Sequence, residues 1–357
     1  MQLDDAALKA KKQLLVTYDY ELFLGNRSGY VEECMLQPTR ATIDLLEKYG
    51  IHAIFFVDTT YLLRLKQQAI STPVCASDFK NVAEQLRILI SKGHYVFPHL
   101  HPHWLDAEYL SDSNQWRLNS TDKYLFRNIS AEERDHVFNG SVNLLKEILH
   151  PQFPEYKIDA FRAGGWSIQP FSNFIPYFEK HNFKYEFSVL GGFYQFTDAQ
   201  YFDFSQAPDK PIYRFSNNEC IENKSGGYVQ FNISSISISA LTSWLNKVWL
   251  KLHMKVTSDH TFHKGEGQPS RILNNVLPAS AKGKNIADPG NERVAVELLT
   301  IMKLRDYNKF IDEHSYMHFI SHPKMITAHN LAVFKKFLER SFAKYLIETD
   351  FQKMLPQ

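Results

Sequence analysis

Residues 79–104, FKNVAEQLRILISKGHYVFPHLHPHW, read as a helix, a turn and a strand in succession. Apolar residues in the first part recur at the three- and four-residue spacing of one helix face. They are Phe79, Val82, Ala83, Leu86, Leu89 and Ile90. Gly93 is typical of a helix end, and Tyr95–His99 has the aromatic and β-branched residues of a strand. The stretch therefore predicts an α-helix that leads directly into a β-strand.

The same alternation runs along the whole chain. Seven segments have the composition of strands: Gln13–Tyr20, His52–Val57, Tyr95–His99, Ile158–Arg162, Tyr185–Leu190, Tyr228–Ile233 and Tyr316–Ser321. Helices are indicated by Pro38 and Gly50 at the two ends of one segment, and by a capping-box pattern at Ser130 and Glu133. Further helical patterns cover Phe171–Asn182, Ile238–Lys255, Glu292–Glu313 and Thr327–Ile347. Alternating strands and helices predict an α/β fold with a parallel sheet closed into a barrel.

The chain is interpreted as a single catalytic domain spanning residues 1–357. Its barrel core runs over about 14–325, and a C-terminal helix follows at about 327–347. Two stretches interrupt the alternation. Residues 104–128 indicate a long loop, and 256–291 are so rich in Gly, Pro, Ser and Asn that they predict a lid or binding loop.

Composition and charge argue against several classes of function. With 44% hydrophobic and 22% charged residues, the chain has the composition of a globular protein. Forty basic against 39 acidic residues leave a net charge of +1, which gives no electrostatic footprint for nucleic acid or an anionic membrane surface. The N-terminal sequence lacks a signal-peptide pattern and no long apolar run is present, so we expect a cytoplasmic protein without stable membrane insertion. Cys34, Cys75 and Cys220 form no paired motif and indicate free thiols.

Two acidic residues stand at the end of the first strand, in the sequence TYDYE. Asp19 and Glu21 are two residues apart, so an extended backbone directs both carboxylates to the same side. Two close carboxylates need a cation or a hydrogen-bond donor to stay ionised together. The pair predicts a metal-binding or acid–base role, with a solvated strand end as the alternative.

Three histidines lie within five residues at the end of the third strand: His99, His101 and His103. His99 and His103 share a face in both a helical turn and an extended segment, whereas Pro102 leaves the geometry at His101 open. Two imidazoles, one carboxylate and an open position are the ligand set of catalytic zinc or of another borderline divalent ion. The spacing therefore predicts a metal site.

Two more strand ends carry single basic residues. Arg162 stands before Gly164 and Gly165 in AFRAGGW, where glycines permit close backbone approach and Trp166 offers an aromatic face to a ligand. His322 follows the seventh strand in HFISHPK, where a structural role is the alternative. Because the carboxyl ends of barrel strands meet on one face, we predict that these strand ends form one active site.

From about Leu14 to Lys324 these motifs resemble those of the polysaccharide deacetylases with a NodB-homology domain, carbohydrate esterase family 4. GHYVFPHLHPHW is similar to the family's GHExxxH(S/T)xxHP motif, TYDYE to its TFDD-type motif, RAGGW to its RPP motif and ISH to its L-x-H motif. The family's fourth motif, with Asp and Trp, has no clear counterpart, and Asp203 in YFDFSQAP is the candidate. The resemblance implies a distorted (β/α)7 barrel, in agreement with the seven predicted strands.

The resemblance also implies the catalytic residues. In the D-x-D spacing of some relatives, Asp19 is the general base and Glu21 a metal ligand; the other register makes Asp19 the ligand. Arg162 is then the group that orients the base, and His322 is the general acid.

The family's two metal histidines correspond to His99 and His103, which would hold a divalent ion together with Glu21. Zinc is the first choice, with cobalt or nickel as alternatives. Aromatic residues available to stack on a sugar ring are Trp104, Trp166 and Tyr194, with a place in the core as the alternative for each.

The function implied is a metal-dependent amide hydrolase that removes an N-acetyl or N-formyl group from an amino sugar. With a cytoplasmic location, the substrate is expected to be a nucleotide-linked or lipid-linked precursor of a surface polysaccharide. One alternative is a C–N hydrolase of the same fold that acts on a non-sugar amide such as a cyclic ureide. Another is a non-catalytic carbohydrate-binding relative.

Overall fold

The structure is a computed structural model that describes residues 9–256, 265–267, 283–286, 288 and 290–355. Its strands are β1 (Lys11–Tyr20), β2 (Ile54–Asp58), β3 (Tyr95–Leu100), β4 (Glu108–Leu110), β5 (Gln115–Arg117), β6 (Ala160–Ala163), β7 (Tyr185–Glu186), β8 (Phe193–Phe196), β9 (Tyr201–Asp203), β10 (Ile212–Phe215), β11 (Tyr228–Phe231), β12 (Ser235–Ser237), β13 (Lys284–Asn285), β14 (Asn291–Arg293), β15 (Tyr316–Ser321) and β16 (Leu346–Glu348). Its α-helices are α1 (Gln37–Glu47), α2 (Thr59–Gln68), α3 (Pro73–Ser91), α4 (Ala131–Leu149), α5 (Ile175–His181), α6 (Ala240–Val256), α7 (Leu304–Glu313) and α8 (Ala328–Lys344).

Seven parallel strands form one curled sheet in the order β11-β7-β6-β3-β2-β1-β15. They correspond one by one to the seven strands predicted from the sequence. Strand β10 adds to β11 in the antiparallel sense, and β16 runs parallel to the first residues of β1. Helices cross over between the successive strands of this sheet, as parallel strands require, except between β7 and β11, where the connection contains β8, β9 and β10. The predicted α/β barrel architecture is confirmed.

The space between β11 and β15 is closed by two segments outside the main sheet, one around Ser234 and the other around Val294. The His318 N–H donates to Ser234 Oγ at 2.9 Å, and the Val294 N–H donates to the Ser234 carbonyl at 2.9 Å. The Ile320 N–H in turn donates to the Val294 carbonyl at 2.9 Å. The helix predicted over Glu292–Glu313 is therefore wrong in its first half, because Val294 is extended to bond with β15 and α7 begins only at Leu304.

Other predicted elements differ mainly at their ends. The helix predicted over Phe171–Asn182 divides into a short 3₁₀ turn and α5, because Pro176 has no N–H to continue the helical hydrogen bonds from the preceding turn. The helix predicted over Thr327–Ile347 ends at Lys344, because the chain then pairs with β1 as β16. The loop predicted at 104–128 contains the hairpin of β4 and β5. Most of the loop predicted at 256–291 lies outside the described residues.

The core fills the space between the sheet and its covering helices. The apolar stripe predicted on α3 faces this core, with Val82, Leu86 and Leu89 fully buried. The Ser130 capping box at the start of α4 is present with both of its hydrogen bonds. Within the part of the chain that is described, no helix has the length and apolar character needed to cross a bilayer.

The strand register places the predicted site residues on one rim of the barrel. His99 of β3 stands opposite Arg162 of β6, and Tyr18 of β1 stands opposite Ser321 of β15. The strands are parallel, so the residues that end each of them lie at the same end of the sheet.

The buried imidazole of His94 should make the fold sensitive to acid. Its Nδ1 accepts a hydrogen bond from the Ala53 N–H at 3.2 Å, which requires the neutral ring. Burial lowers the pKa of His94 to about 4, and the neighbouring His52 acts in the same direction. The unfolded chain takes up this proton near pH 6.5, so the stabilisation is complete above that pH and is lost as the pH falls towards 4. The loss amounts to about 3 kcal/mol at most.

We expect His94→Gln to flatten the dependence of the free energy of unfolding on pH between pH 7 and 4. Urea unfolding at several pH values measures this slope. His136→Gln, which replaces an exposed histidine on α4, is the matched control and should leave the slope unchanged. An identical slope in wild type and His94→Gln would show that another group dominates acid unfolding.

Candidate metal and catalytic site

The rim of the barrel encloses a cavity of about 420 Å³. Among the described residues, its lining consists of Asp19, Glu21, Leu24, His99, His101, Tyr124, Gly165, Trp166, Ala199, Gln200, Ile286, Arg293 and His322. Five of these side chains carry titratable or ligand atoms and come from the ends of three strands: Asp19 and Glu21 from β1, His99 and His101 from β3, and His322 from β15. Convergence of strand ends, predicted from the sequence, therefore produces a single polar pocket.

Arg162 lies fully buried beneath the pocket and forms a close set of contacts. Its Nη1 donates to Asp19 Oδ1 at 2.6 Å, and its Nη2 donates to Thr17 Oγ1 at 2.9 Å. Its Nε donates to the Phe187 carbonyl at 3.0 Å, and the guanidinium lies 4.2 Å from the centre of the Phe56 ring. The side chain has no freedom to move, so Asp19 is held in one orientation.

The second carboxylate oxygen of Asp19 faces the pocket. Oδ2 lies 3.6 Å from His322 Nε2 and 4.0 Å from His99 Nε2. Burial acts to raise the pKa of Asp19, but the charges of Arg162, His99 and His322 outweigh it and hold the pKa below its usual value. Asp19 is therefore an ionised carboxylate with one anchored oxygen and one oxygen directed at the reaction space.

Three buried side chains bring ligand atoms together beside Asp19. Nε2 of His101 lies 2.8 Å from Glu21 Oε2 and 3.0 Å from His99 Nε2, and the latter two atoms are 3.5 Å apart. Among the described residues, this is the one group whose ligand atoms all lie within 4.8 Å of one another. A zinc ion with bonds of about 2.1 Å in tetrahedral geometry holds its ligand atoms about 3.4 Å apart. The observed separations of 2.8, 3.0 and 3.5 Å lie near this value, and an outward shift of about 0.5 Å by His101 would seat such an ion.

The hydrogen bond on the far side of His99 supports the same conclusion. Its Nδ1 lies 2.9 Å from the Arg162 carbonyl oxygen, which can only accept, so Nδ1 carries the proton. In the neutral form of the ring, Nε2 would then present a lone pair towards the Glu21 carboxylate, and a cation between them would satisfy both. Metal-binding histidines are commonly oriented through their second nitrogen in this way. The buried group of Glu21, His99 and His101 can bind a divalent metal ion.

The structure brings His101, and not His103, beside Glu21 and His99. His101 is extended, so it shares the strand face of His99 by simple alternation. Pro102 then starts a 3₁₀ turn that carries His103 away, and the His103 ring stacks on Tyr124 with 4.1 Å between ring centres. Burial, together with the neighbouring His101, lowers the pKa of His103 well below its usual value.

Gly164 makes room for the His101 ring. A Cβ added at this position would lie 2.2 Å from the Leu100 carbonyl oxygen and 2.8 Å from His101 Nδ1. The close approach predicted for the glycines of AFRAGGW is therefore used to seat a candidate ligand.

A lysine that the sequence did not single out contacts the Glu21 carboxylate. Lys324 is buried and donates to Glu21 Oε1 at 2.8 Å and to the Leu22 carbonyl at 2.7 Å. Burial acts to raise the pKa of Glu21, but Lys324 and His101 outweigh it and hold the pKa well below its usual value. Lys324 thus fixes one oxygen of Glu21 and leaves the other to face the imidazoles.

His322 stands on the opposite wall with a carboxylate behind it. Its Nδ1 donates to Glu297 Oε1 at 2.9 Å, and its Nε2 lies 3.8 Å from Glu21 Oε1. Arg293 Nη2 contacts the same Glu297 oxygen at 2.9 Å. Burial acts to raise the pKa of Glu297, but His322 and Arg293 outweigh it and lower that pKa. His322 is therefore oriented with Nε2 towards the pocket.

Glu297 is the partner of His322 that sequence reasoning missed. Asp203, the candidate for the fourth family motif, lies in β9, where its carboxylate accepts the Ser205 N–H at 3.0 Å. Asp203 does not line the cavity. Glu297 lies in an irregular segment that was predicted to be helical, and no spacing rule connects it with His322.

The three candidate aromatic residues lie in different environments. Trp166 lines the cavity but is only 5% exposed, and its role in substrate binding stays a prediction. Trp104 is fully buried and donates to Asp58 Oδ2 at 2.5 Å, so it belongs to the core and cannot stack on a ligand. Tyr194 stacks on Phe196 and is not part of the described cavity lining.

Comparison with known proteins gives little beyond this geometry. No family model matches the chain, and no curated protein matches it. A solved structure assigned as a polysaccharide deacetylase from Mycobacterium smegmatis is similar at 10% identity and a TM-score of 0.44, over 99% of this chain and 91% of that chain. The structure of PuuE allantoinase is similar at 9% identity and a TM-score of 0.45, over 96% of this chain and 88% of that chain. The catalytic domain of peptidoglycan N-acetylglucosamine deacetylase from Eubacterium rectale is similar at 11% identity and a TM-score of 0.33, over 100% of this chain and 93% of that chain.

The two candidate histidine ligands can be separated by matched truncations. We expect His101→Ala to lower the affinity for Zn²⁺ by about 10- to 100-fold or more, because it removes an atom from the ligand group. His103→Ala should keep the wild-type affinity, since its ring stacks on Tyr124 outside that group. Calorimetric titration of each metal-stripped variant with Zn²⁺ measures the two affinities. Normal binding by His101→Ala together with loss in His103→Ala would restore the ligand set predicted from the sequence.

Proposed function

We propose that the protein is a divalent-metal-dependent amide hydrolase that removes an N-acetyl or N-formyl group from an amino sugar. Zinc is the proposed ion, held by Glu21, His99 and His101. The observation that carries the proposal is that Asp19, clamped by Arg162, points its free oxygen into the same pocket as this ligand group and His322. A nucleotide-linked or lipid-linked precursor of a surface polysaccharide is the proposed substrate.

The ion supplies charge at the scissile carbonyl and makes water more acidic when it is bound. The residues of the chain then divide the proton transfers. Asp19 takes a proton from the attacking water through Oδ2, while Arg162 keeps Oδ1 engaged and the carboxylate ionised. A positioned base of this kind contributes about 10²- to 10⁴-fold to the rate.

His322 performs the second transfer. An amide nitrogen is a poor leaving group until it is protonated, and Nε2 of His322 faces the pocket to deliver that proton. Glu297 accepts the Nδ1–H at 2.9 Å, so its negative charge stabilises the imidazolium before the transfer. Base and acid are separate side chains whose facing atoms are 3.6 Å apart, which leaves both in contact with one reacting group.

The remaining lining suits a small polar ligand with one flat face. A volume of about 420 Å³ falls in the range of ordinary small-molecule sites. Trp166 offers an indole face for a sugar ring, and Gln200 and Arg293 offer polar groups at the wall. These features support an amino sugar over an extended apolar amide.

The proposed base is tested by Asp19→Asn in a screen for acetate and formate release from nucleotide-linked amino sugars. We expect this variant to keep its metal and to lose turnover by about 10²- to 10⁴-fold, because the amide cannot accept a proton. Glu21→Gln is the matched control and should weaken metal binding instead. Metal loss in Asp19→Asn with retention in Glu21→Gln would reverse the two roles. A metal-loaded wild type that releases neither product would refute the proposed function.

The proposed acid is tested through the pH–rate profile. His322→Ala should lower turnover without loss of metal and should remove the basic limb of kcat, since that limb reports deprotonation of the acid. Glu297→Gln should also lower turnover without loss of metal, because the imidazole loses the carboxylate that orients it. Melting temperatures provide the control for folding. A preserved basic limb at wild-type rate in His322→Ala would leave His322 a structural residue.

A further inference from the structure

Helix α6 presents a row of large apolar side chains to solvent. The members of this row, the α6 face, recur at three- and four-residue spacing and are Leu241, Trp244, Leu245, Val248 and Leu252. Leu241 is 67% exposed, and Trp244 and Leu252 are each 59% exposed. Contiguous exposed apolar residues on one side of a helix mark an interaction surface.

The opposite side of α6 is attached to the body of the protein. Asn246 is buried and accepts a hydrogen bond from Thr300 Oγ1 at 2.5 Å. One turn further on, the centre of the Trp249 ring lies 4.4 Å from that of His329 in α8. The helix is therefore docked by one side, and the α6 face is its outward side.

The charged residues of α6 are all basic. Its 17 residues contain no Asp or Glu, and the exposed Lys247 and Lys251 lie next to the apolar row, one turn apart. An apolar row with a tryptophan and a lysine edge is the pattern of a helix that lies in the plane of an anionic membrane surface. Lysine stems can reach past the apolar side chains to lipid phosphates. Pairing with a second copy of α6 would supply no acidic partner for these lysines.

We propose that the α6 face docks the protein on the surface of an anionic lipid bilayer. A short strand connects the helix with the pocket. This strand, β12, precedes α6 in the chain and pairs with β14, whose Arg293 lines the cavity. Because only residues 238 and 239 separate β12 from α6, docking at α6 keeps this wall of the pocket near the lipid surface. On the proposed function, a lipid-linked amino sugar is then favoured over a nucleotide-linked one.

Vesicle co-sedimentation of the full chain tests the surface without reference to activity, so it stays separate from any failure of the proposed hydrolysis. We expect the wild type to bind vesicles of phosphatidylcholine mixed with phosphatidylglycerol more tightly than vesicles of phosphatidylcholine alone. Trp244→Glu/Leu252→Glu should lower the partition coefficient for the mixed vesicles at least about tenfold. The matched control, Ile70→Glu/Ile221→Glu, replaces two other exposed apolar residues, which are 89% and 61% exposed, and should bind as the wild type does.

A second variant keeps all apolar contacts and alters only charge. Lys247→Gln/Lys251→Gln should lose most of the preference for phosphatidylglycerol and most of the salt dependence of binding. The proposal is overturned if the wild type does not sediment with the mixed vesicles, or if the control pair loses binding as strongly as the α6 pair. It is also overturned if the α6 pair converts a dimer in solution into a monomer while vesicle binding is unchanged.

Discussion

A buried ion pair between Arg162 and Asp19 sits at the centre of the barrel, and both the fold and the site depend on it. Burying a guanidinium costs several kcal/mol unless its donors are matched, and removal of one partner leaves an uncompensated charge. Here every nitrogen of the Arg162 guanidinium has an acceptor, from Asp19, Thr17 or the Phe187 carbonyl. These acceptors belong to β1 and to the segment after β7, so the contact that aims the carboxylate also ties distant strands together.

The neighbouring His318 shows how tightly this environment is specified. Its Nδ1 donates to the Asn232 carbonyl, which leaves Nε2 as an acceptor 3.3 Å from Arg162 Nη2. Burial, reinforced by the charge of Arg162, lowers the pKa of His318 to about 3. The imidazole is therefore neutral at physiological pH and supports the guanidinium without competing for Asp19.

Two buried cations divide the acidic pair of TYDYE into different roles. Arg162 occupies one oxygen of Asp19, and Lys324 occupies one oxygen of Glu21. The free oxygens then face different neighbours, His322 for Asp19 and His101 for Glu21. The two carboxylates are two residues apart at the end of β1, so local geometry alone does not assign them different roles. Their difference arises from contacts with residues about 140 and 300 positions away along the chain.

Features that depend on residues close together in the sequence could be predicted, whereas features that depend on contacts between distant residues could not. The seven strands and the Ser130 cap depend on periodicity and on neighbours within a few residues, and the structure contains them. The helix predicted from Glu292 fails because hydrogen bonds to β15 and to Ser234 hold Val294 extended. The choice between His101 and His103 depends on where Pro102 ends the strand. Residues such as Lys324 are recognisable only once β1 and β15 lie side by side.

Charge provides a second case in which distance decides what a sequence reveals. A sum over 357 residues gives +1 and argues against an anionic membrane surface. At physiological salt, however, a surface responds mainly to charges within a Debye length of about 8 Å. The relevant sum is then that of the surface in contact, where Lys247 and Lys251 lie beside the α6 face and the helix itself has no acidic residue. A chain that is nearly neutral as a whole can therefore carry a basic, apolar surface wherever its acids are folded to other sides.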